Sequence, residues 1–287
     1  MSERKGSQWS IAIYTGRTPL VLQPAPGIRS PVLTADDVRD VPAAFVADPF
    51  MVREDGRWYL FCEVKNQSTR LGEIGLATSL DGLSWQYCHT VLRESFHLSY
   101  PQVFRWDGDY YMVPETLELE AVTLYRANPF PDRWERVGAL VHGKLADPTL
   151  FHYNDRWWML ACPTPYQHDS LCLYHAENLG GPWRPHPRNP LVEGSRATAR
   201  PGGRVIAWDG GLIRYAQDCV PVYGTRLRAF RIAELDTEKW SEVEAEESPV
   251  LEPGLGWNAT GMHHADPHRL DDGSWLACVD GYVYVEP

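Results

Sequence analysis

Residues 47–63 read Ala47-Asp48-Pro49 and then FMVREDGRWYLFCE: a short triplet closed by proline, an apolar strand, an Asp-Gly turn and a second, aromatic-rich strand. Two strand-like runs joined by Asp-Gly are the strongest short-range hairpin signal a sequence offers. The unit recurs four times. Ser99-Tyr100-Pro101 precedes QVFRWDGDYYMVPE, and Ala146-Asp147-Pro148 precedes TLFHYNDRWWMLAC. Ala199-Arg200-Pro201 precedes GGRVIAWDGGLIRYAQ, and Ala265-Asp266-Pro267 precedes HRLDDGSWLACVD. Intervals of 52, 47, 53 and 66 residues separate the five central triplet residues. Four-stranded propeller blades of roughly 40–50 residues plus loops have this length.

Outward from each hairpin the next strands follow: EIGLATS and SWQYCHTVL in the first unit, AVTLYRA and RWERVGALV in the second, SLCLYHA and PWRPHP in the third, TRLRAFRI and KWSEVEA in the fourth. The fifth unit runs out of chain after GYVYVEP, and the N-terminal SIAIYTG and PLVLQP supply its missing pair. A ring closed in this way leaves no exposed sheet edge. The expected fold is therefore all-β: one five-bladed β-propeller over 1–287, with four-stranded antiparallel blades. Its blades fall near 47–97, 98–144, 145–195 and 196–255, the last combining 262–287 with 8–25.

Composition agrees and narrows the partners. Twelve Trp, 14 Tyr, 23 Gly and 23 Pro in 287 residues favour strands and tight turns. A net charge of -11 argues against nucleic acid, which needs a basic face, and favours a neutral or cationic small ligand or a carbohydrate. The opening MSERKGSQWSIAIYTG lacks a secretory leader, and no run of about 20 apolar residues suggests a membrane span, so a cytoplasmic protein is expected. The six cysteines show no CxxC and read as reduced residues, four of them in strand-like runs.

Equivalent positions can now be compared between blades. Innermost strands line a propeller's channel, so the triplets should ring one mouth with Asp48, Tyr100, Asp147, Arg200 and Asp266. Asp-Pro is also a common turn opener, but a turn preference alone does not concentrate charge at one channel. Counted back from the turns, Glu63, Glu115, Cys162, Gln217 and Asp280 share a second register. Glu63 and Glu115 end apolar strands, where a carboxylate needs water, a partner or a ligand, and where a raised pKa suits acid catalysis. HLSYP places His97 ahead of Tyr100, and GMHHADP places His263 and His264 ahead of Asp266. His97 is read as a substrate contact, and His263 and His264 either as hydrogen-bonded loop residues or as groups that contact substrate or transfer a proton. Their spacing matches no zinc signature, so no cofactor is expected, with a channel metal ion near His263 and His264 as the minor reading. Gln217, Asp218 and Tyr223 offer groups that bind hydroxyls, and Trp257 offers a face for a sugar ring. GxGxxG, the P-loop pattern and GxSxG are absent.

At its repeated Asp-Pro triplets the sequence resembles the five-bladed propeller glycoside hydrolases, a superfamily of arabinanases, β-xylosidases, levanases and invertases. More closely, ADPFMVREDGRWYLFCEV, SYPQVFRWDGDYYMVPET, DPTLFHYNDRWWML and GMHHADPHRL resemble the propeller at the N-terminus of plant inositolphosphorylceramide glucosaminyltransferases and its single-domain bacterial relatives. The first resemblance implies Asp48 as general base and Asp147 as the carboxylate that orients the acid. It also implies a fourth-blade Glu as acid, and Arg200 stands there instead. An arginine cannot donate its proton near neutral pH.

Two readings follow. Either the acid has moved to Glu115, or less favourably Glu63, with Asp48/Glu115 acting as an inverting pair roughly 6.5–9.5 Å apart; or Arg200 and the histidines recognise an anionic group. The expectation is a carbohydrate-active, glycoside hydrolase-like enzyme with catalytic Asp48, Glu115 and Asp147. Substrate would be bound by Glu63, His97, Tyr100, Arg200, Gln217, Asp218, Tyr223, Trp257, His263, His264 and Asp266. A non-catalytic glycan- or headgroup-binding propeller, and a lyase, cyclase or transferase of bacterial secondary metabolism on the same scaffold, remain as alternatives.

Overall fold

In the computed structural model, residues 6–285 are described. The first five residues of the stretch read for a leader, and Glu286-Pro287 of the last strand segment, lie outside them. Each hairpin became the inner half of an antiparallel sheet. The first sheet runs Ala43–Glu54, Arg57–Asn66, Gly72–Ser79 and Gln86–Leu92 from channel to rim. The second and third begin with Ser99–Trp106 and Ala146–Tyr153, and the fourth with the much shorter Ile206–Trp208. The fifth orders Ala265–Arg269, Trp275–Val285, Gly6–Thr18 and Val21–Pro24, so the N-terminal strands complete the last blade and close the ring as expected. Helix is limited to the single 3-10 turns Ala35–Asp37 and Leu117–Leu119 among the described residues, and no helix is long and apolar enough to cross a membrane.

Apolar side chains of successive blades meet in five clusters, one in each seam. Phe50 and Phe61 of the first blade pack with Tyr100, Val103 and Tyr110 of the second, and Val113 with Leu150 and Trp157 fills the next seam. Phe151 and Trp158 meet Val205 and Leu212, Ile213 and Tyr215 meet Ala12 and Tyr14, and Ile11 and Ile13 meet Met51 and Trp58. Burying side chains of this size stabilises by about 1.5–3 kcal/mol each, so the blades are held mainly by their seams. All six cysteines are free; Cys88 is exposed, and Cys62, Cys162, Cys219 and Cys278 are buried.

The triplets differ from expectation in an instructive way. They lie within the innermost strands of the first three blades rather than ahead of them. The pairing slips between Ala47 and Phe50, between Ser99 and Gln102, and between Ala146 and Thr149. At each slip the central residue takes a left-handed backbone, φ 52° at Asp48, 49° at Tyr100 and 49° at Asp147. Proline cannot donate to a ladder and is tolerated inside strands only where pairing is broken, so the triplet encodes a bulge. The fifth copy has no slip: Ala265, Asp266 and Pro267 pair regularly with Val279, Cys278 and Ala277. In the fourth copy the Gly202-Gly203 pair replaces the strand start. A β-carbon at Gly203 would stand 1.9 Å from the Ala265 carbonyl oxygen, so only glycine permits this approach of the last blade.

Candidate active site

The second strands of the hairpins end at one mouth of the channel, beside the bulges. There a cavity of about 290 Å³ opens. Asp48 and Glu63 of the first blade, Glu115 of the second, His97 ahead of it, Arg200 and Tyr223 of the fourth and His263 ahead of the fifth all line it. Seven sequence-predicted residues are thus brought together. Sequence reasoning missed Trp9, Phe45, Lys65 and Ser99 in the same lining.

On one side lies a chain of three groups. The Nδ1 of His263 is 2.8 Å from Asp280 Oδ1, and its Nε2 is 3.7 Å from Asp48 Oδ1. The ring stacks on Trp9 at 4.1 Å. Asp280 also accepts the Asp48 backbone N–H at 2.9 Å, tying the last blade to the first bulge. Burial opposes the charged imidazolium, but the Asp280 and Asp48 carboxyls outweigh it and raise the His263 pKa. Burial would likewise raise Asp280, yet His263 beside it holds that carboxyl low. Asp48 is raised to about 7, by burial first and by Asp280 and Asp147, against the opposing pull of His263 and Arg200.

Glu115 sits across the cavity. Its Oε2 accepts the Asp147 backbone N–H at 3.1 Å and lies 3.4 Å from Arg200 Nη2, while Oε1 lies 3.5 Å from Ser99 Oγ. Burial, and then the Asp147 charge, push it up to about 8 despite Arg200. Arg200 explains how the carboxyls coexist. Its Nε and Nη2 hold both Asp147 oxygens, at 2.6 and 3.2 Å, and Nη2 also reaches Glu115. Its Nη1 donates to the Pro165 carbonyl at 2.9 Å and to His168 Nδ1 at 2.9 Å. A guanidinium has five N–H groups, so all are engaged by protein acceptors. Tyr223 covers its face at 5.2 Å. Arg200 therefore clamps the two carboxyls and offers no free donor to an anionic ligand, which corrects the reading of it as an anion receptor.

Seven other predicted residues do not line the cavity. Asp266, unbulged, turns to Arg204 and His268, at 2.6 and 2.9 Å, and accepts the Met51 N–H. Tyr100 lies in the channel, its hydroxyl 2.8 Å from Thr149 Oγ1 and accepting from Gly203 N–H at 2.7 Å. His264 is wholly buried, its Nε2 2.8 Å from the Pro49 carbonyl and its ring against Phe50 and Tyr100. Gln217 donates to Asp147 and to the Pro201 carbonyl, from behind the site. Asp218 pairs with Arg226 and Arg228. Trp257 packs on the seam between the fourth and fifth blades rather than offering a face to a sugar. Asp147 itself is buried under Arg200 and positions it.

The donor atoms of Asp48, His263 and Asp280 fall within 4.8 Å of one another, the one group in the described residues compact enough to hold a metal ion. His263 Nδ1 and Asp280 satisfy each other at 2.8 Å, while His263 Nε2 and Asp48 Oδ1 stand 3.7 Å apart.

The comparisons agree with this architecture. Residues 1–282 match the family described as glucosamine inositolphosphorylceramide transferase 1, N-terminal. The chain belongs to this family. It is 34% identical over 296 residues to glucosamine inositolphosphorylceramide transferase 1 of Oryza sativa subsp. japonica, covering 95% of the chain and 40% of the relative. The Arabidopsis thaliana protein of that name is 34% identical over 303 residues, covering 97% and 39%. The chain thus spans about two fifths of these relatives. Among solved structures, the catalytic domain of a GH62 α-L-arabinofuranosidase from Coprinopsis cinerea superposes with a TM-score of 0.62 at 12% identity, over 95% of this chain and 96% of that one. A glycosidase-like protein from Bacteroides thetaiotaomicron gives 0.65 at 13%, over 93% and 96%. These likenesses show the shared propeller fold.

Proposed function

We propose that the family's propeller, in this chain, is a carbohydrate-active enzyme of glycoside hydrolase-like mechanism. The observation that carries this is the placement of Glu115 and Asp48 in one cavity in different surroundings, Glu115 beside Arg200 and the Asp147 N–H and Asp48 beside His263 and Asp280. Burial raises both carboxyls, Glu115 to about 8 and Asp48 to about 7, so both exchange protons near neutral pH, as a general acid and a general base must. Glu115 would protonate the leaving oxygen of a glycoside. Asp48 would take the proton of an attacking water, with the charge of His263 favouring its ionised form. Asp147 and Arg200 position Glu115. The propeller neighbours and the transferase relatives, whose names involve a glucosamine and an inositolphosphorylceramide, support a sugar as the reacting group.

The test is turnover of a panel of 4-nitrophenyl glycosides, glucosaminides included, by wild type, Asp48→Asn and Glu115→Gln. A loss of roughly 10²–10⁴-fold is expected for Asp48→Asn, the range of acid–base contributions. One observation favours a second reading: Arg200 stands where related hydrolases are expected to carry the acid. A protein that binds sugars but turns over nothing, equally in wild type and Asp48→Asn, would be a binding module and would overturn the enzymatic reading.

A further inference from the structure

A second cavity, of about 260 Å³, opens at the other end of the blades. In the second blade's hairpin Ser99 faces Glu115 at the first cavity and Trp106 faces Asp109 at the turn, so at about 3.3 Å per residue the two cavities lie roughly 20 Å apart. The fourth blade makes the room. Its innermost strand, Ile206–Trp208, has three residues against eight in the second and third blades, and Gly203 ahead of it bridges to Ala265 of the last blade. Aromatic rings of the second and third blades wall the gap. Trp106, 37% exposed, meets His152 at 4.6 Å and Trp157 edge-to-face at 4.8 Å, and Trp157 in turn packs on Phe104.

The polar groups of this lining are nearly all donors. Asp266 holds Arg204 by Nε and Nη2, at 2.6 and 3.3 Å, and Nη2 also donates to the Val103 and Met51 carbonyls. Among the described residues Nη1 has no acceptor, so a fixed guanidinium carries two unused N–H groups. The indole N–H of Trp157 is also buried without a partner. Arg105 is the other charged side chain of the lining, which contains no Asp or Glu, and only the Tyr153 hydroxyl and a His152 ring nitrogen can accept. A sugar brings several hydroxyl donors, each needing an acceptor that these side chains lack. A carboxylate only accepts, and a flat ring stacks on tryptophan.

From this geometry we infer that the second cavity binds a small aromatic carboxylate, its ring against Trp106 and His152 and its head group on Arg204 Nη1. The volume lies just under the roughly 300 Å³ at which pockets for drug-sized ligands begin, which limits the ligand to one or two rings. Arg204 suits the head group because Asp266 and two carbonyls already hold it, so little freedom is lost on binding. The site is independent of the acid–base reading of the first cavity.

2-Naphthoate is the probe, titrated into protein labelled with ¹⁵N at tryptophan, with Trp106→Phe and Trp157→Phe assigning the two indole signals. A saturable shift of both is expected. Affinity should fall about tenfold in Trp106→Ala and at least about tenfold in Ala207→Trp, which fills the cavity from an exposed position of its lining. 2-Naphthamide should bind at least about fivefold more weakly than the acid. Arg204→Lys should erase most of that preference, since a lysine held by Asp266 has no second nitrogen to present; the two exposed-position variants decide the matter if it fails to fold. Absence of a saturable shift, or unchanged affinity in a folded Ala207→Trp, overturns the site. Affinity lost in Asp48→Asn instead places the probe in the first cavity and overturns it too. Equal binding of acid and amide, or a saturable shift of the same signals with methyl glycosides, overturns the assignment to a carboxylate.

Discussion

Replacing Arg200 by Met tests the clamp that lets acidic groups share a closed cavity. The side chains of Arg200, Glu115 and Asp147 are 8%, 7% and 3% exposed, so little water can replace the lost contacts. The substitution deletes two hydrogen bonds to Asp147, one to Glu115 and the ties to Pro165 and His168. Removing one partner of a buried ion pair costs about 3–5 kcal/mol, because the remaining charge is stranded. At about 2–4 °C per kcal/mol for a protein of this size class, the melting temperature should fall by roughly 6–20 °C. The loss should also depend on pH. Without Arg200, Glu115 rises further; at pH 6 it is neutral with or without Arg200 and the cost is smaller, whereas at pH 9 the wild type gains from the attraction between Arg200 and the ionised Glu115 that the variant has lost, and the cost grows. Differential scanning calorimetry of wild type, Arg200→Met and Arg200→Lys at both pH values measures this. Lysine keeps the charge but cannot span the acceptors, and should fall between the other two. A drop of less than about 2 °C, or equal drops at both pH values, would refute the clamp.

Two further outcomes follow from the same contacts. Glu115 holds a proton in the folded chain up to about pH 8 and releases it on unfolding above the ordinary carboxyl range, so it makes stability fall as pH rises from about 4.5 to 8. Unfolding free energies from urea melts between pH 5 and 8 should decline less steeply in Glu115→Gln, by up to about 1.4 kcal/mol per pH unit, and identical slopes would contradict the raised pKa. Gly203→Ala places a methyl 1.9 Å from the Ala265 carbonyl oxygen at φ 140° and should destabilise by roughly 2–4 kcal/mol in a thermal melt. A neutral effect would mean that the seam between the fourth and fifth blades has slack.

The hairpins made most of the fold legible, because Asp-Gly turns between apolar runs leave few alternatives and the spacing counts the blades. The closing of the ring was also readable, since the fifth unit lacked two strands that the N-terminus supplies. The site was legible only in part, for a reason visible in the triplets. Asp48, Tyr100 and Asp147 are equivalent by alignment and by backbone, yet the Tyr100 ring lies in the channel among Phe50 and His264 while Asp48 lines the cavity. Asp266 aligns equally well, but its strand carries no bulge, and a one-residue difference in pairing sends a side chain to the other face. Lys65 could have been found: it follows Glu63 by two residues, and strand periodicity puts the pair on one face. Asp280 was already in register with Glu63 and Glu115. Nothing local to Trp9 or His168 marks them, because their places depend on ring closure and on the loop that meets Arg200.

The central claim is that this cavity holds an acid and a base, and a carbon-detected NMR titration of the Asp and Glu side-chain carboxyls tests it most directly. Asp48→Asn and Glu115→Gln assign the two signals. The account predicts that Glu115 titrates at about 8 and Asp48 at about 7, with the Glu115 signal moving upward in Arg200→Met. If both carboxyls titrate below about pH 5, near their unperturbed values, Glu115 is not a proton donor at neutral pH and the acid–base account is contradicted.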